Sequence, residues 1–128
     1  MIFPSHSWKN KSAARKIVEA LATEGLPCWL DEQQLEDGAE LRASLRLAIS
    51  QSDVYLYLVS NAANESKWVQ DELQFAIGLE NEQKLRVVIV RLADNKDALP
   101  AILSGRVCRS LDPTSGGEFR GQYTAIDK

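Results

Sequence analysis

Val54-Tyr55-Leu56-Tyr57-Leu58-Val59 is the stretch on which the fold turns. It is built from β-branched, aromatic and aliphatic residues and has no polar face, the pattern of a central parallel strand covered on both sides. Downstream, within residues 85–92, Val87-Val88-Ile89-Val90 repeats the pattern. Between the two runs, residues 66–82 carry Val69, Leu73, Ala76 and Ile77 at helical spacing, so the unit reads strand–helix–strand with parallel strands. Upstream, Leu41, Leu45, Ala48 and Ile49 share one side of a helix, and residues 12–23 place Ala14, Ile17, Val18 and Leu21 on another, with Gly25 suited to its stop. Ile2-Phe3 opens the chain as a strand. Leu26-Pro27-Cys28-Trp29-Leu30 is a second, short one, put at an edge by the proline's missing donor. Beyond the second apolar run, residues 98–103 suit a short irregular helix around Pro100, and Arg106-Val107-Cys108-Arg109-Ser110-Leu111 a last strand whose charges suit an edge. Residues 31–38 and 60–66 read as polar loops. The expectation is an α/β, flavodoxin-like, five-stranded parallel sheet in the order 2-1-3-4-5 with helices on both faces. Cys28 and Cys108 would then stand at opposite edges, too far apart to bridge.

The 128 residues suffice for one domain, residues 1–128, with 45% hydrophobic and 26% charged side chains, an ordinary globular balance. Residues 112–128 read as an irregular tail and the start of a last helix, Phe119, Tyr123 and Ile126 beginning a stripe, as expected of a piece of a longer protein. Fifteen Lys plus Arg against eighteen Asp plus Glu give −3, without the cationic surplus that direct nucleic-acid binding needs. A secretory leader or membrane span is not expected, the longest apolar run being Val54 to Val59, and the two cysteines read as reduced thiols of a cytoplasmic protein. His6 is the single histidine, and no His/Cys cluster has the spacing of a metal site.

Ligands of open parallel sheets bind outside the carboxyl ends of the strands, where the strand order reverses. The loop after the first strand, Ser5-His6-Ser7-Trp8-Lys9-Asn10, borders that point, as do residues 60–66, and residues 31–38 leave the neighbouring strand on the same edge. The third long helix faces the crevice with Trp68 and Glu72 at i, i+4, continued by Phe75 and Leu79, a line separate from its core stripe. A carboxylate aligned with large apolar groups is either a solvated residue beside a half-exposed indole or an acid held at a cleft by an aromatic wall. Asp31, Glu32, Glu36 and Asp37 read as a solvated loop without calcium-loop spacing. Ser7 and Ser60 lack a nucleophile-elbow pattern, and Gly25, Gly38 and Gly78 are isolated rather than a phosphate-binding loop. A phosphoacceptor receiver domain, which shares this fold, needs an aspartate where the central strand ends in Ser60.

Four passages together resemble the Toll/interleukin-1 receptor (TIR) domains, and most of all their bacterial members. Ile2-Phe3-Pro4-Ser5-His6-Ser7 resembles their F-I-S-H-S opening; Trp29-Leu30-Asp31 through Leu35-Glu36-Asp37-Gly38 resembles W-x-D…L-x-x-G. Ala48-Ile49-Ser50-Gln51-Ser52-Asp53 with Val59-Ser60 resembles A-I-x-x-S-D…L-S, and Ser66-Lys67-Trp68-Val69-Gln70-Asp71-Glu72-Leu73 resembles S-x-W-V/C-x-x-E-L. Pro4 departs from the pattern: it stands where an aliphatic residue is usual and removes one donor from the first strand.

The resemblance implies a chemistry. Many TIR domains of this type cleave NAD⁺ at the nicotinamide–ribose bond, with the glutamate of W-x-x-x-E-L as the catalytic residue; here that is Glu72. It also implies substrate contacts from Ser7 and Trp8, from Glu36 and from Trp68. NAD⁺ is then the substrate, and no cofactor is implied. The expected partners are further copies of the domain, through TIR–TIR self-association, and a fused or partner sensor domain, in a defence or signalling role. The alternative is a non-catalytic TIR protein-interaction module associating through the loop after the second strand. The presence of both Trp68 and Glu72 favours the enzyme.

Overall fold

A computed structural model describes residues 1–7, 9, 11–23, 25–29, 38–92 and 95–111, with the backbone alone for 38–42 and 111. Its elements are β1 (Ile2–Ser5), α1 (Lys11–Thr23), α2 (Gly38–Ser50), β2 (Val54–Leu58), α3 (Asn61–Glu65), α4 (Lys67–Asn81), β3 (Arg86–Leu92), a 3-10 turn (Ala101–Leu103) and β4 (Cys108–Leu111). The named strands form one four-stranded sheet in the order β1-β2-β3-β4, every pair parallel.

The fifth strand expected over residues 26–30 is reduced to a single parallel bridge, Ile2 to Cys28, on the outer side of β1. Two prolines explain this. The Ile2 N–H donates to the Pro27 carbonyl (3.0 Å) and the Trp29 N–H to the Ile2 carbonyl (2.8 Å). In a parallel ladder the next rung on that side belongs to the residue two further along β1, which is Pro4. Proline has no N–H to give, so the ladder stops. Pro27 is equally unable to donate. Toward β2 nothing is lost: Phe3 pairs with Tyr55, and Pro4 keeps its place opposite Leu56. The spatial order is thus the Cys28 bridge, β1, β2, β3, β4, which is the predicted 2-1-3-4-5 with the first edge eroded.

Alternation along the strands divides the core into two layers. Phe3, Tyr55, Tyr57, Val59, Val87 and Ile89 face one side, where Leu45, Ala48 and Ile49 of α2 and Val69, Leu73 and Ala76 of α4 cover them. Ile2, Val54, Leu56, Leu58, Val88 and Val90 face the other, covered by Ala14, Ile17 and Leu21 of α1. All five residues of β2 are buried, as the opening stretch requires. The core stripes expected of the helices are the ones that pack, except that Val18 of α1 stays half-exposed outside both core layers; Leu41 is among the residues described by backbone alone.

The segment 60–66, expected as a loop, contains the helix α3 instead. Its residues, Asn61-Ala62-Ala63-Asn64-Glu65, show no apolar stripe, and local bonds make the turn. Ser60 caps it by accepting from the Ala63 N–H (2.9 Å), and Ser66 caps α4 by accepting from the Val69 N–H (3.2 Å). Side chains then tie α3 to its surroundings. Tyr57 donates its hydroxyl proton to Asn64 Oδ1 (2.7 Å), and Gln70 Nε2 bonds both Tyr57 Oη and the Ala63 carbonyl (each 3.0 Å). Asn64 Nδ2 donates to the Ala98 carbonyl (2.7 Å), and Asp97 accepts from the Asn61 N–H (2.8 Å). The last strand is also shorter than the sequence suggests: Arg106 and Val107 precede it. Residues 112–128 and the tail and helix expected there lie outside the described residues.

Candidate active site

The strand order reverses at β1: its first connection leads to the Cys28 edge and the next returns to β2 on the other side. The carboxyl ends of β1 and β2 therefore flank the expected crevice. Beside it stands α4, whose first turns are held by the Ser66 cap and by the Gln70 bonds. The buried stripe Val69–Leu73–Ala76 fixes the helix's rotation, so Trp68, Glu72, Phe75 and Leu79 lie along its flank, each half-buried. The indole of Trp68 and the rings and chains of Phe75 and Leu79 pack against the core layer.

Trp68, Asp71 and Glu72 of α4 meet Leu45 and Arg46 of α2 around a small recess of about 10 Å³. The Arg46 guanidinium lies over the Phe75 ring, 5.2 Å from its centroid, and is the one cation of that lining among the described residues. Glu72 is thus neither free in bulk water nor sealed in the core. Its charge reaches inward: the Tyr55 phenol is held well above its ordinary ionisation range, first by burial and then by the negative charge of Glu72. The Ser5 hydroxyl pulls the other way, lying close enough to favour the Tyr55 phenolate. Both oxygens are buried without a hydrogen-bond partner.

The structure brings together two of the predicted site residues, Trp68 and Glu72. Ser7 is buried at 7% exposure, just beyond the end of β1, where its Oγ accepts from the Lys9 N–H (3.2 Å). Trp8 and Glu36 lie outside the described residues. Ser60 is a helix cap rather than a nucleophile. His6 is half-buried; burial lowers its pKa, the Pro4 carbonyl works to raise it and Lys11 lowers it further, so the neutral imidazole is favoured over its charged form. Arg46, which lines the recess with Glu72, is not singled out by the sequence. Nor is Tyr55, although a tyrosine in a run buried on both faces signals a phenol in need of a partner. Ser5, expected to open the loop after the first strand, is instead the last residue of β1.

A larger groove of about 240 Å³, lined in part by Arg86, Arg106 and Arg109, opens where β3 begins, at the amino ends of the strands. Ligands of such sheets sit at the opposite ends, so the smaller recess is the candidate site. Among the described residues no three His, Cys, Asp or Glu side chains gather in a way that could hold a metal ion. Among them, too, no helix is long and apolar enough to cross a membrane.

Known proteins share this sequence and shape. The chain is 33% identical over 76 residues to the NAD(+) hydrolase TcpC of Escherichia coli O6:H1, a match covering 59% of the chain and 25% of that protein. It is 31% identical over 115 residues to the NAD(+) hydrolase TcpA of a Theionarchaea archaeon, covering 87% of the chain and 35% of that protein. The chain thus spans a quarter to a third of the length of these curated relatives. Among solved structures, a metazoan TIR-STING receptor from C. gigas superposes with a TM-score of 0.72 at 25% identity, over 98% of this chain and 38% of that one. The family model for the TIR domain matches residues 2–122, and with the parallel sheet, the Trp68–Glu72 flank and these relatives it shows that the chain belongs to the TIR domain family.

Proposed function

We propose that this chain is an NAD⁺ nucleosidase, cleaving the bond between nicotinamide and ribose with Glu72 as its catalytic residue. The observation that carries the reading is the half-buried Glu72 beside Trp68 in one recess between α2 and α4. The two curated relatives, named NAD(+) hydrolases, support it.

One carboxylate suffices for this reaction. Ordinary glycosidases need a second carboxyl group to protonate the leaving oxygen. Nicotinamide in NAD⁺ is already a cationic pyridinium. When the C–N bond breaks, its electron pair stays on the ring nitrogen and the base departs neutral, so no general acid and no redox cofactor is required. What needs stabilising is the positive charge that develops on the ribose. A fixed anion beside that carbon lowers the transition state more than the ground state. Glu72 fills this role, and its oxygens can also receive ribose hydroxyl protons. Trp68, one turn earlier, excludes water and offers a face for stacking. Ser7, Trp8 and Glu36 supply the remaining substrate contacts. Water capture of the ribosyl cation gives ADP-ribose; attack by a nucleophile within the same molecule gives a cyclised product.

In this reading the domain is cytoplasmic, is switched on by association of TIR copies, and works in defence or signalling beside a fused or partner sensor domain. The test is release of free nicotinamide from NAD⁺ by purified protein across a concentration series, with crowding agent, and fused to an oligomeric partner. Glu72→Gln should fold normally and lose roughly 10²–10³ in rate. Parental activity in a folded Glu72→Gln protein, or no release by assembled wild type, overturns the reading, and a docking module is what then remains.

A further inference from the structure

Gln70 stands between Trp68 and Glu72 in the sequence of α4. Two residues are more than half a helical turn, so its side chain leaves the helix on the side away from both. There its Nε2 bonds the Tyr57 hydroxyl and the Ala63 carbonyl, each at 3.0 Å. Tyr57 is fully buried in β2, and its hydroxyl donates to Asn64 Oδ1 of α3 (2.7 Å). Asn64 uses both ends of its amide, donating from Nδ2 to the Ala98 carbonyl (2.7 Å). A part-buried network whose members satisfy one another in this way is rigid rather than costly.

The connection from β3 to β4 supplies the far abutment. Asn95 Nδ2 donates to the Val59 carbonyl (3.0 Å), Asn95 Oδ1 accepts from the Asp97 N–H (2.7 Å), and Asp97 accepts from the Asn61 N–H (2.8 Å). Residues 95–98 are thereby fixed to the end of β2 and to α3, and bonds run without a break from Ala98 through Asn64 and Tyr57 to Gln70. None of these residues lines the recess that holds Trp68 and Glu72. Their effect on it is through α4. The apolar stripe of that helix sets which face is buried, but apolar contact is non-directional and tolerates sliding and tilt. The Ser66 cap closes the helix on its own first turn and travels with it. The Gln70 bonds are directional and tie the same turns to the sheet and to α3.

We propose that Gln70, through Tyr57 and Asn64, is a positioning residue for the site: a hydrogen-bonded bracket from the β3–β4 connection to α4 sets the height and tilt of the helix's first turns, and with them the places of Trp68 and Glu72. Its kinetic consequence rests on the reading of Glu72 as the catalytic group; its structural consequence does not. A carboxylate that stabilises a developing charge loses its effect steeply when misplaced, whereas binding shared by ground and transition states tolerates more. The bracket therefore acts on turnover more than on substrate affinity.

Gln70→Met keeps the length of the side chain and removes both of its bonds; Tyr57→Phe keeps the buried ring and removes the oxygen that Gln70 and Asn64 share. In nicotinamide release, assayed below each variant's unfolding transition, Gln70→Met should lower kcat about tenfold and raise KM less than about threefold, the asymmetry of a displaced transition-state group. Tyr57→Phe should do the same to a smaller extent, and the double variant should lose less than the product of the two, because one bond is counted in both. Glu80→Gln is the control. It loosens the other end of α4, where Glu80 holds the Val87 N–H and Arg106, and should lower the denaturant midpoint with kcat unchanged. The second readout needs no turnover: with fluorotryptophan at the three tryptophans, the ¹⁹F resonance of Trp68, assigned through Trp68→Phe, should shift or broaden in Gln70→Met and Tyr57→Phe and stay in place in Glu80→Gln. If it does so while wild type releases no nicotinamide, the bracket stands and the enzymatic reading falls. If wild type releases nicotinamide but neither kcat nor the Trp68 resonance responds to Gln70→Met and Tyr57→Phe, or if Glu80→Gln lowers kcat as much as they do, the bracket is a structural support alone and the proposal is overturned.

Discussion

His6 shows how one side chain's surroundings set its chemistry. It is the chain's single histidine, it follows β1 directly, and its pKa is lowered by burial and by the charge of Lys11 against the pull of the Pro4 carbonyl. A lowered folded-state pKa has a definite consequence for stability. Above about 6.5 both folded and unfolded chains carry it neutral, and its contribution is complete. As the pH falls below that value the unfolded chain takes up a proton that the folded chain resists, so stability declines until the folded imidazole titrates as well. Urea midpoints measured between about pH 7.5 and about pH 5.5 should therefore drop, and His6→Gln should flatten that drop; an unchanged slope in the variant would contradict the burial argument. The same local physics was legible for Glu72 only in part. Spacing put it on a flank with Trp68, Phe75 and Leu79, which is a statement about a helix surface. That Leu45 and Arg46 of α2 meet it around one recess is a statement about how two helices pack, invisible at i, i+4.

At the level of elements, α4 carries the site and its two ends are built differently. Its start is secured by the Ser66 cap, worth about 1 kcal/mol, and by the bonds of Gln70 to Tyr57 and α3. Its end is strained: the turn into β3 puts Gln83 at φ 62°, a left-handed conformation in which a side chain is crowded, while Lys84 N–H closes the turn on the Leu79 carbonyl (3.0 Å). Gln83→Gly should raise stability by up to about 1 kcal/mol, read as a higher denaturant midpoint with an unchanged slope. Beyond the turn, Glu80 fastens α4 to β3 and to the approach of β4, accepting from the Val87 N–H (3.1 Å) and pairing with Arg106 (2.7 Å). Burial alone would raise its pKa; these two partners outweigh burial and lower it. The long helices and the buried strands were legible because their apolar residues repeat with a period. Helix α3 was not, because five polar and small residues have no period to show, and a cap together with cross-element bonds makes it a helix. The second strand was legible as an edge through Pro27, but its reduction to one rung depends on Pro4 meeting it across the sheet.

Across the whole molecule the strand order sets which residues can ever meet. Cys28 bridges to the outer side of β1 and Cys108 lies in β4, four strand steps away, about 19 Å at about 4.8 Å per step. Disulfides require Cα atoms within about 7 Å, so mild oxidation should leave the monomer uncrosslinked on a non-reducing gel, with any disulfide formed between chains. Burial raises the Cys28 thiol to about 11, and its alkylation in the folded protein should be slow and should accelerate on unfolding. The sequence by itself determined the layer architecture, the parallel order and the flank on which Glu72 lies, because these follow from periodicity and from the few topologies that right-handed crossovers permit. Only the tertiary structure decided where the first edge ends, that residues 61–65 close into a helix, and that Arg46 of α2 shares a recess with Trp68 and Glu72 of α4. Those depend on residues far apart in the chain meeting in space, Ile2 with Cys28, Asn61 with Asp97 and Leu45 with Trp68, and such meetings are a product of packing that no local pattern encodes.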